Sequence, residues 1–208
     1  MIIKSKRKIE ATIDELYLDA KNDYLQMIKG ATKSILRPSQ PSDFKNAYLA
    51  ISKEQGKELV DLICKNNIKN IVEFGTSFGI STLFLAQGAI ETGGTIITTE
   101  LIESKAHQAI ENFEKAGVHD IIELRIGDAL ETLNHHNEHI DLLLLDGWKN
   151  LYLPLFQLLE PNFHAKTIIY VDNADMAESR LFLDTVRQNS NYRIQYNHQG
   201  KAALITLN

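Results

Sequence analysis

The chain has 208 residues, 44% of them apolar and 24% charged, an ordinary mix for a soluble globule with one sizeable core. With 27 acidic against 22 basic side chains the formal net charge is −5, and the basic residues are scattered. That argues against a broad nucleic-acid surface, though not against a small basic pocket.

The opening stretch MIIKSKRKIEATIDE is basic, but no apolar h-region follows it and acids come next, so it does not read as a signal peptide. No run approaches the roughly 18 apolar residues of a membrane span, and a cytoplasmic protein is expected. Residues 7–30 read as a helix, with Ile9, Ile13, Leu16, Leu18, Leu25 and Ile28 as an imperfect apolar stripe. GATKSILRPSQPSDFKN breaks it, and Pro38 and Pro41 make a loop. A second helix is expected from about Ser52 to Asn66, with Ser52 and Gln55 as a capping box. It contains Cys64, the one cysteine, expected to be a buried inert thiol. A single cysteine excludes a disulfide framework within the chain and suits a reducing compartment.

From residue 68 the rhythm changes. NIVEF, GTIITTE, IIELRI, IDLLLLD and KTIIYVD read as strands. Between and after them STLFLAQGAIE, SKAHQAIENFEKAG, DALETLN, LYLPLFQLLEP and SRLFLDTVRQN read as helices. Such alternation predicts an α/β fold, a doubly wound and mainly parallel sheet with helices on both faces. YRIQYN and KAALITL are joined by HQG, too short for a crossover, so the sheet ends in an antiparallel hairpin and has seven strands. The expected organisation is a single domain, with a helical cap over 1–66 and the α/β core over 67–208.

Ligands of such sheets bind beyond the carboxyl ends of the strands. The first strand ends in Glu73-Phe74-Gly75-Thr76-Ser77-Phe78-Gly79, followed by Ser81 in the next helix. Glycines allow a tight turn and close approach of a ligand to the backbone, and the helix that follows points its amides at that ligand. The spacing is E-x-G-x-x-x-G rather than the dinucleotide G-x-G-x-x-G. It resembles the first motif of S-adenosylmethionine-dependent methyltransferases, which makes Glu73, Gly75, Thr76, Ser77, Gly79 and Ser81 candidate cofactor residues. A plain strand-to-helix turn is the alternative. Glu100 ends the second strand, where an acid can accept hydrogen bonds from both ribose hydroxyls; alternatively it is a solvated acid. Asp128, with Ala129 beside it, ends the third strand. In the methyltransferase pattern it lies near the adenine amino group, and it is also a good N-cap for ALETL.

Asp146 ends the fourth strand, and Asp172 with Asn173 ends the fifth. Parallel neighbours place these ends about 4.8 Å apart. Two carboxylates and an amide carbonyl form a hard-cation set suited to Mg²⁺, and no cysteine or histidine joins them, which argues against zinc. Asp as a turn former at each end is the plainer explanation.

The stretch DGWKNLYLP, the later LLE and KTIIYVDN resemble the catechol O-methyltransferase family, within the wider group of cation-dependent small-molecule O-methyltransferases. With AISKEQGKEL, VEFGTSFGIST and GDALETL the resemblance covers about residues 48–175. It implies a class I methyltransferase fold, S-adenosylmethionine as cofactor and a divalent cation. Carried over by position, Asp146, Asp172 and Asn173 would bind the metal, and Lys149 would be the base near the acceptor hydroxyl. Gly75, the Ser77 region and Glu100 would hold the cofactor, with Asp146 in both shells. Trp148 would pack beside it or serve as an ordinary core aromatic, and Ile51 would lie near the methionine end. The implied acceptor is a small phenolic or catechol-like molecule.

Two positions depart from the family. Gly147 stands where the animal catechol enzymes have a histidine, and YNHQGKAAL lacks the acid with which those enzymes hold the catechol. Relatives are often dimers built through N-terminal helices, and a homodimer is expected by that analogy alone. Methylation of a hydroxylated uridine in transfer RNA, or a cofactor-binding fold without catalysis, are the competing readings. The acidic charge opposes the first and the intact Asp146, Lys149, Asp172 and Asn173 oppose the second. NHHNEHI matches H-x-x-E-H with His135, Glu138 and His139, but lies in a polar connection and reads as a solvated loop.

Overall fold

The computed structural model describes residues 2–22 and 40–208. In chain order the elements are α1 (Ile2–Asp19), α2 (Lys53–Asn66), β1 (Asn70–Phe74), α3 (Ile80–Thr92), β2 (Thr95–Glu100), α4 (Glu103–Ala116) and β3 (Ile122–Ile126). They continue as α5 (Ala129–Thr132), β4 (Ile140–Leu145), α6 (Tyr152–Leu159), β5 (Phe163–Asp172), α7 (Ala177–Arg187), β6 (Tyr192–Asn197) and β7 (Ala202–Leu207). The strands form one seven-stranded sheet in the order β3-β2-β1-β4-β5-β7-β6. All pairings are parallel except β6–β7, the expected terminal hairpin, and β5–β7, through which that hairpin joins the sheet. The chain reverses direction across the sheet between β1 and β4, so the crevice above those two strands is the natural ligand position.

The four leucines of β4 are explained by this topology. Leu142 and Leu144 enter one apolar cluster with α1, α2, α3 and α4, while Leu143 and Leu145 enter a second with α5, α6 and α7. A central parallel strand is covered on both faces, so it is apolar at every position rather than at alternate ones. The helix α3 lies between its neighbours and is buried on nearly all sides. Among the described residues no helix is long and apolar enough to cross a membrane.

Several expectations are corrected. No glycine or proline precedes residue 7, and α1 accordingly starts at Ile2; it ends at Asp19, followed by a 3-10 turn over Ala20–Asn22. Ile9, Ile13 and Leu16 are buried as predicted, but Leu18 is 57% exposed, because two residues along a helix is a turn to the opposite side. Leu25, Ile28 and Pro38 lie outside the described residues, and Pro41 opens a 3-10 turn over Pro41–Phe44. Cys64 is exposed, not buried. The buried positions of α2 are Gln55, Gly56, Leu59 and Ile63, and Cys64 falls one step off that stripe. The HQG turn is a 3-10 segment in which His198 and Gln199 take left-handed backbones.

Candidate active site

The cofactor-candidate loop is fixed from below by the second strand. Gly75 and Thr76 donate their amides to the Thr99 carbonyl at 3.2 and 3.0 Å. Gly75 has φ +106°, and a Cβ there would come within 2.7 Å of the Asp146 carbonyl oxygen and the Gly147 nitrogen. Only glycine lets the β1 loop and the β4 loop approach this closely. The same packing accounts for Gly147, where a Cβ would stand 2.4 Å from the Phe74 ring. The histidine of the animal catechol enzymes would not fit without movement of that ring.

Glu73 turns away from the crevice. It is fully buried, and its Oε2 accepts hydrogen bonds from Thr82 at 2.5 Å and Thr98 at 2.6 Å. Burial raises its pKa, against the lowering effect of hydrogen bonds from Ser81, Thr82 and Thr98. The Thr76 hydroxyl is likewise inside, 2.5 Å from that of Thr98, and Ser81 is buried. Their side chains hold the loop's base, and Gly79 is buried too, where a Cβ would meet the Phe113 ring at 2.5 Å, so Gly75 and Ser77 are the half-buried cofactor candidates of the loop.

Ser77 takes a left-handed backbone with φ +50°, uncommon without a glycine. Its amide donates to Glu100 Oε2 at 2.8 Å, and its hydroxyl donates to the Tyr48 carbonyl at 2.8 Å. Glu100 Oε1 accepts from the Ile102 amide, also at 2.8 Å. Burial raises the Glu100 pKa, opposed by the Ile102 amide, the Lys105 charge and the Ser77 amide. Asp128 caps α5, accepting from the Leu130 amide at 2.9 Å; it is exposed, with buried Ala129 beside it. Ile51 is buried, and its carbonyl accepts from the Tyr17 hydroxyl at 2.7 Å.

Asp146 and Asp172 meet above neighbouring parallel strands, in register through Leu145 and Val171. The Asp146 pKa lies well above the usual carboxylate range, first because the group is buried and next because the Asp172 charge stands beside it. Lys149 Nζ opposes this from 3.8 Å, and also lies 5.7 Å from the centre of the Tyr152 ring. Asn173 has φ +52°, which asparagine tolerates better than most residues. Two crowded carboxylates, with Asn173 next in sequence to Asp172, are a donor set that fits a divalent oxygen-seeking cation. Trp148 is half-buried, packs on the second apolar cluster, that of α5, α6 and α7, and makes a tilted ring contact with Phe44, centroids 6.4 Å apart. His135, Glu138 and His139 do not converge: among the described residues no three His, Cys, Asp or Glu side chains gather to hold a metal.

Four features were not recognised from sequence. Gln55 reads locally as a cap, yet its Nε2 also donates to Asp172 Oδ1 at 2.5 Å, 117 positions away. Tyr152, fully buried, donates its hydroxyl to the Asp172 carbonyl at 3.2 Å. Lys105 is only 4% exposed and donates to the Ala47 carbonyl at 2.8 Å and to Ser77 Oγ at 3.2 Å, tying the loop before α2 to the cofactor-candidate loop. An acid from another element stands against the β6–β7 turn. Glu58 of α2 accepts from Asn197 at 2.5 Å and Tyr170 at 3.0 Å, and its Oε2 lies 2.7 Å from His198 Nε2. No short motif signals any of these contacts; the nearest hint is a glutamine at the third position of a capped helix.

The model of a family described as O-methyltransferase matches residues 34–201. A catechol O-methyltransferase of Niastella koreensis is 31% identical over 147 residues, covering 69% of this chain and 63% of the relative. That of Mycobacterium tuberculosis is 33% identical over 126 residues, covering 60% and 57%. The chain thus spans about three fifths of the length of these curated relatives. The solved O-methyltransferase from Bacillus cereus in complex with SAH shares the fold, with a TM-score of 0.69 at 23% identity, covering 88% of this chain and 97% of that one.

Proposed function

From the premise that this chain belongs to the O-methyltransferase family, we propose that it transfers a methyl group from S-adenosylmethionine to a hydroxyl of a small phenolic, catechol-like acceptor, with Mg²⁺ or another divalent cation. The observation that carries this reading is the pairing of Asp146, its side chain 9% exposed, with buried Asp172 at neighbouring strand ends, with Asn173 next in sequence and Lys149 Nζ 3.8 Å from Asp146. The single cysteine agrees with a reducing compartment, and the cytoplasm is the proposed location.

A phenol has a pKa near 10, by analogy with tyrosine, and is mostly protonated at neutral pH. When bound, the cation would lower that pKa and the sulfonium would supply an activated methyl group. The residues of the chain do the rest. Asp146, Asp172 and Asn173 offer oxygens to the cation. Glu100, fixed by two backbone amides, retains lone pairs for the ribose hydroxyls. Asp128 stands at the adenine end, and Gly75 and Ser77 face the cofactor. Lys149 is the base placed to take the proton that the acceptor hydroxyl releases as its O–CH₃ bond forms and the S–CH₃ bond breaks. The products are a methyl ether and a thioether.

The test is transfer of labelled methyl from S-adenosylmethionine to catechol, measured in chelator and after adding Mg²⁺. Turnover that chelation abolishes and Mg²⁺ restores is the expected result. Full turnover in chelator removes the cation from the reading.

A further inference from the structure

We propose that Gln55 is a positioning residue for the cation site, its neutral amide holding Asp172 so that one carboxylate oxygen is occupied and the other is directed to the cation. The inference rests on the reading of Asp146, Asp172 and Asn173 as cation ligands. Gln55 is 7% exposed and Asp172 is 5% exposed. Gln55 Oε1 accepts from the Ser52 backbone amide at 3.0 Å, while Ser52 Oγ accepts from the Gln55 backbone amide at 3.2 Å. The Ser52 amide can only donate, so it fixes which end of the Gln55 side chain is oxygen. The NH₂ end is thereby turned to Asp172 Oδ1, at 2.5 Å.

The backbone of Asp172 is held separately. Its carbonyl accepts from Tyr152, and the residue pairs with Ala202 in the sheet. With the backbone fixed, the remaining freedom is rotation of the carboxylate. Repulsion from Asp146 would turn Asp172 away, and the Gln55 amide opposes that rotation. Its neutrality matters, because a lysine or arginine here would also hold the carboxylate but would repel a cation. Partners that orient metal ligands commonly set affinity by about 10–100-fold.

The experiment is calorimetric titration of the full chain with Mn²⁺, for the wild type and for Gln55→Leu, Gln55→Asn and Ser52→Ala. Gln55→Leu should weaken Mn²⁺ binding by about 10–100-fold. Gln55→Asn keeps an amide but is one methylene too short to reach from Ser52 to Asp172, and should weaken binding similarly even if the leucine variant does not fold. Ser52→Ala damages the helix cap but keeps the backbone amide that orients Gln55, so Mn²⁺ affinity should stay near that of the wild type. Unchanged affinity in both Gln55 variants overturns the positioning role and leaves the cation site standing. Equal weakening in Ser52→Ala overturns it too, because the loss then belongs to the cap. A wild type that does not bind Mn²⁺ overturns the cation site itself.

Discussion

At the β1–β2 half of the crevice the chain meets its own acids. Glu73 accepts from two threonine hydroxyls and Glu100 from two backbone amides. At the β4–β5 half, Asp146 and Asp172 crowd each other. Lys149 stands off at 3.8 Å, and the Gln55 amide approaches Asp172 at 2.5 Å. Glu100, with a backbone amide on each oxygen, is held by folding and can serve as a rigid acceptor, whereas Glu73 is paired through Oε2 and its buried Oε1 has no partner among the described residues. Two buried carboxylates side by side carry repulsion that a divalent cation would relieve. The difference separates a half suited to recognising hydroxyls from a half suited to charge and proton transfer.

The largest expected effect lies in the second half. Lys149→Ala should lower kcat toward catechol by roughly 10²–10⁴-fold, the usual range for a general base, while calorimetry shows cofactor affinity almost unchanged. Equal loss in both would erase the division of labour between the halves. Next comes Glu100→Ala, which removes an acceptor of charge-assisted hydrogen bonds, each worth about 1.5–3 kcal/mol. Cofactor affinity should fall roughly 10- to 100-fold with kcat at saturation little altered, and a folded variant with wild-type affinity would detach Glu100 from the ribose.

A smaller effect concerns stability. At alkaline pH, where Asp146 must carry its charge beside Asp172, Asp146→Asn removes one of two crowded charges and should raise the melting temperature in chelator. The shift should be a few degrees, at about 2–4 °C per kcal/mol for a chain of this size. The same change should erase the further rise that Mg²⁺ gives the wild type by binding the folded state. A variant that melts lower in chelator would show that the pair is not strained. The smallest effect is at Glu73. Its folded pKa is raised, so the folded state holds more protons than the unfolded one. Its contribution is complete below the ordinary glutamate value of about 4.3 and is lost as pH rises through the folded value. Glu73→Gln should flatten that decline in urea titrations at a series of pH values. Parallel curves for variant and wild type would show that burial of this carboxylate costs nothing.

Much of this arrangement was legible in the residues. Apolar runs of strand length alternating with amphipathic segments specify a doubly wound sheet, since each run must be covered on both faces. The same alternation marks where strands end, and therefore that Gly75, Glu100, Asp128, Asp146 and Asp172 share one edge. Ser52 and Gln55 are legible as a cap because a capping box is closed within four residues. Periodicity was a poorer guide to individual side chains, as exposed Leu18 and Cys64 show. A residue one or two positions off a helix's buried stripe is covered or left open by the neighbouring layer.

The sequence by itself therefore determined the order of elements, the edge that carries the acids and the turns that need glycine, all products of local backbone geometry. Tertiary structure alone decided which acids are satisfied and which are crowded. It joined Gln55 to Asp172 across 117 positions and Glu58 to His198 across 140. It also buried Lys105 between the Ala47 carbonyl and Ser77. Such contacts depend on how α2 and α4 settle against the sheet, and a hydrogen bond between packed layers leaves no period in the chain.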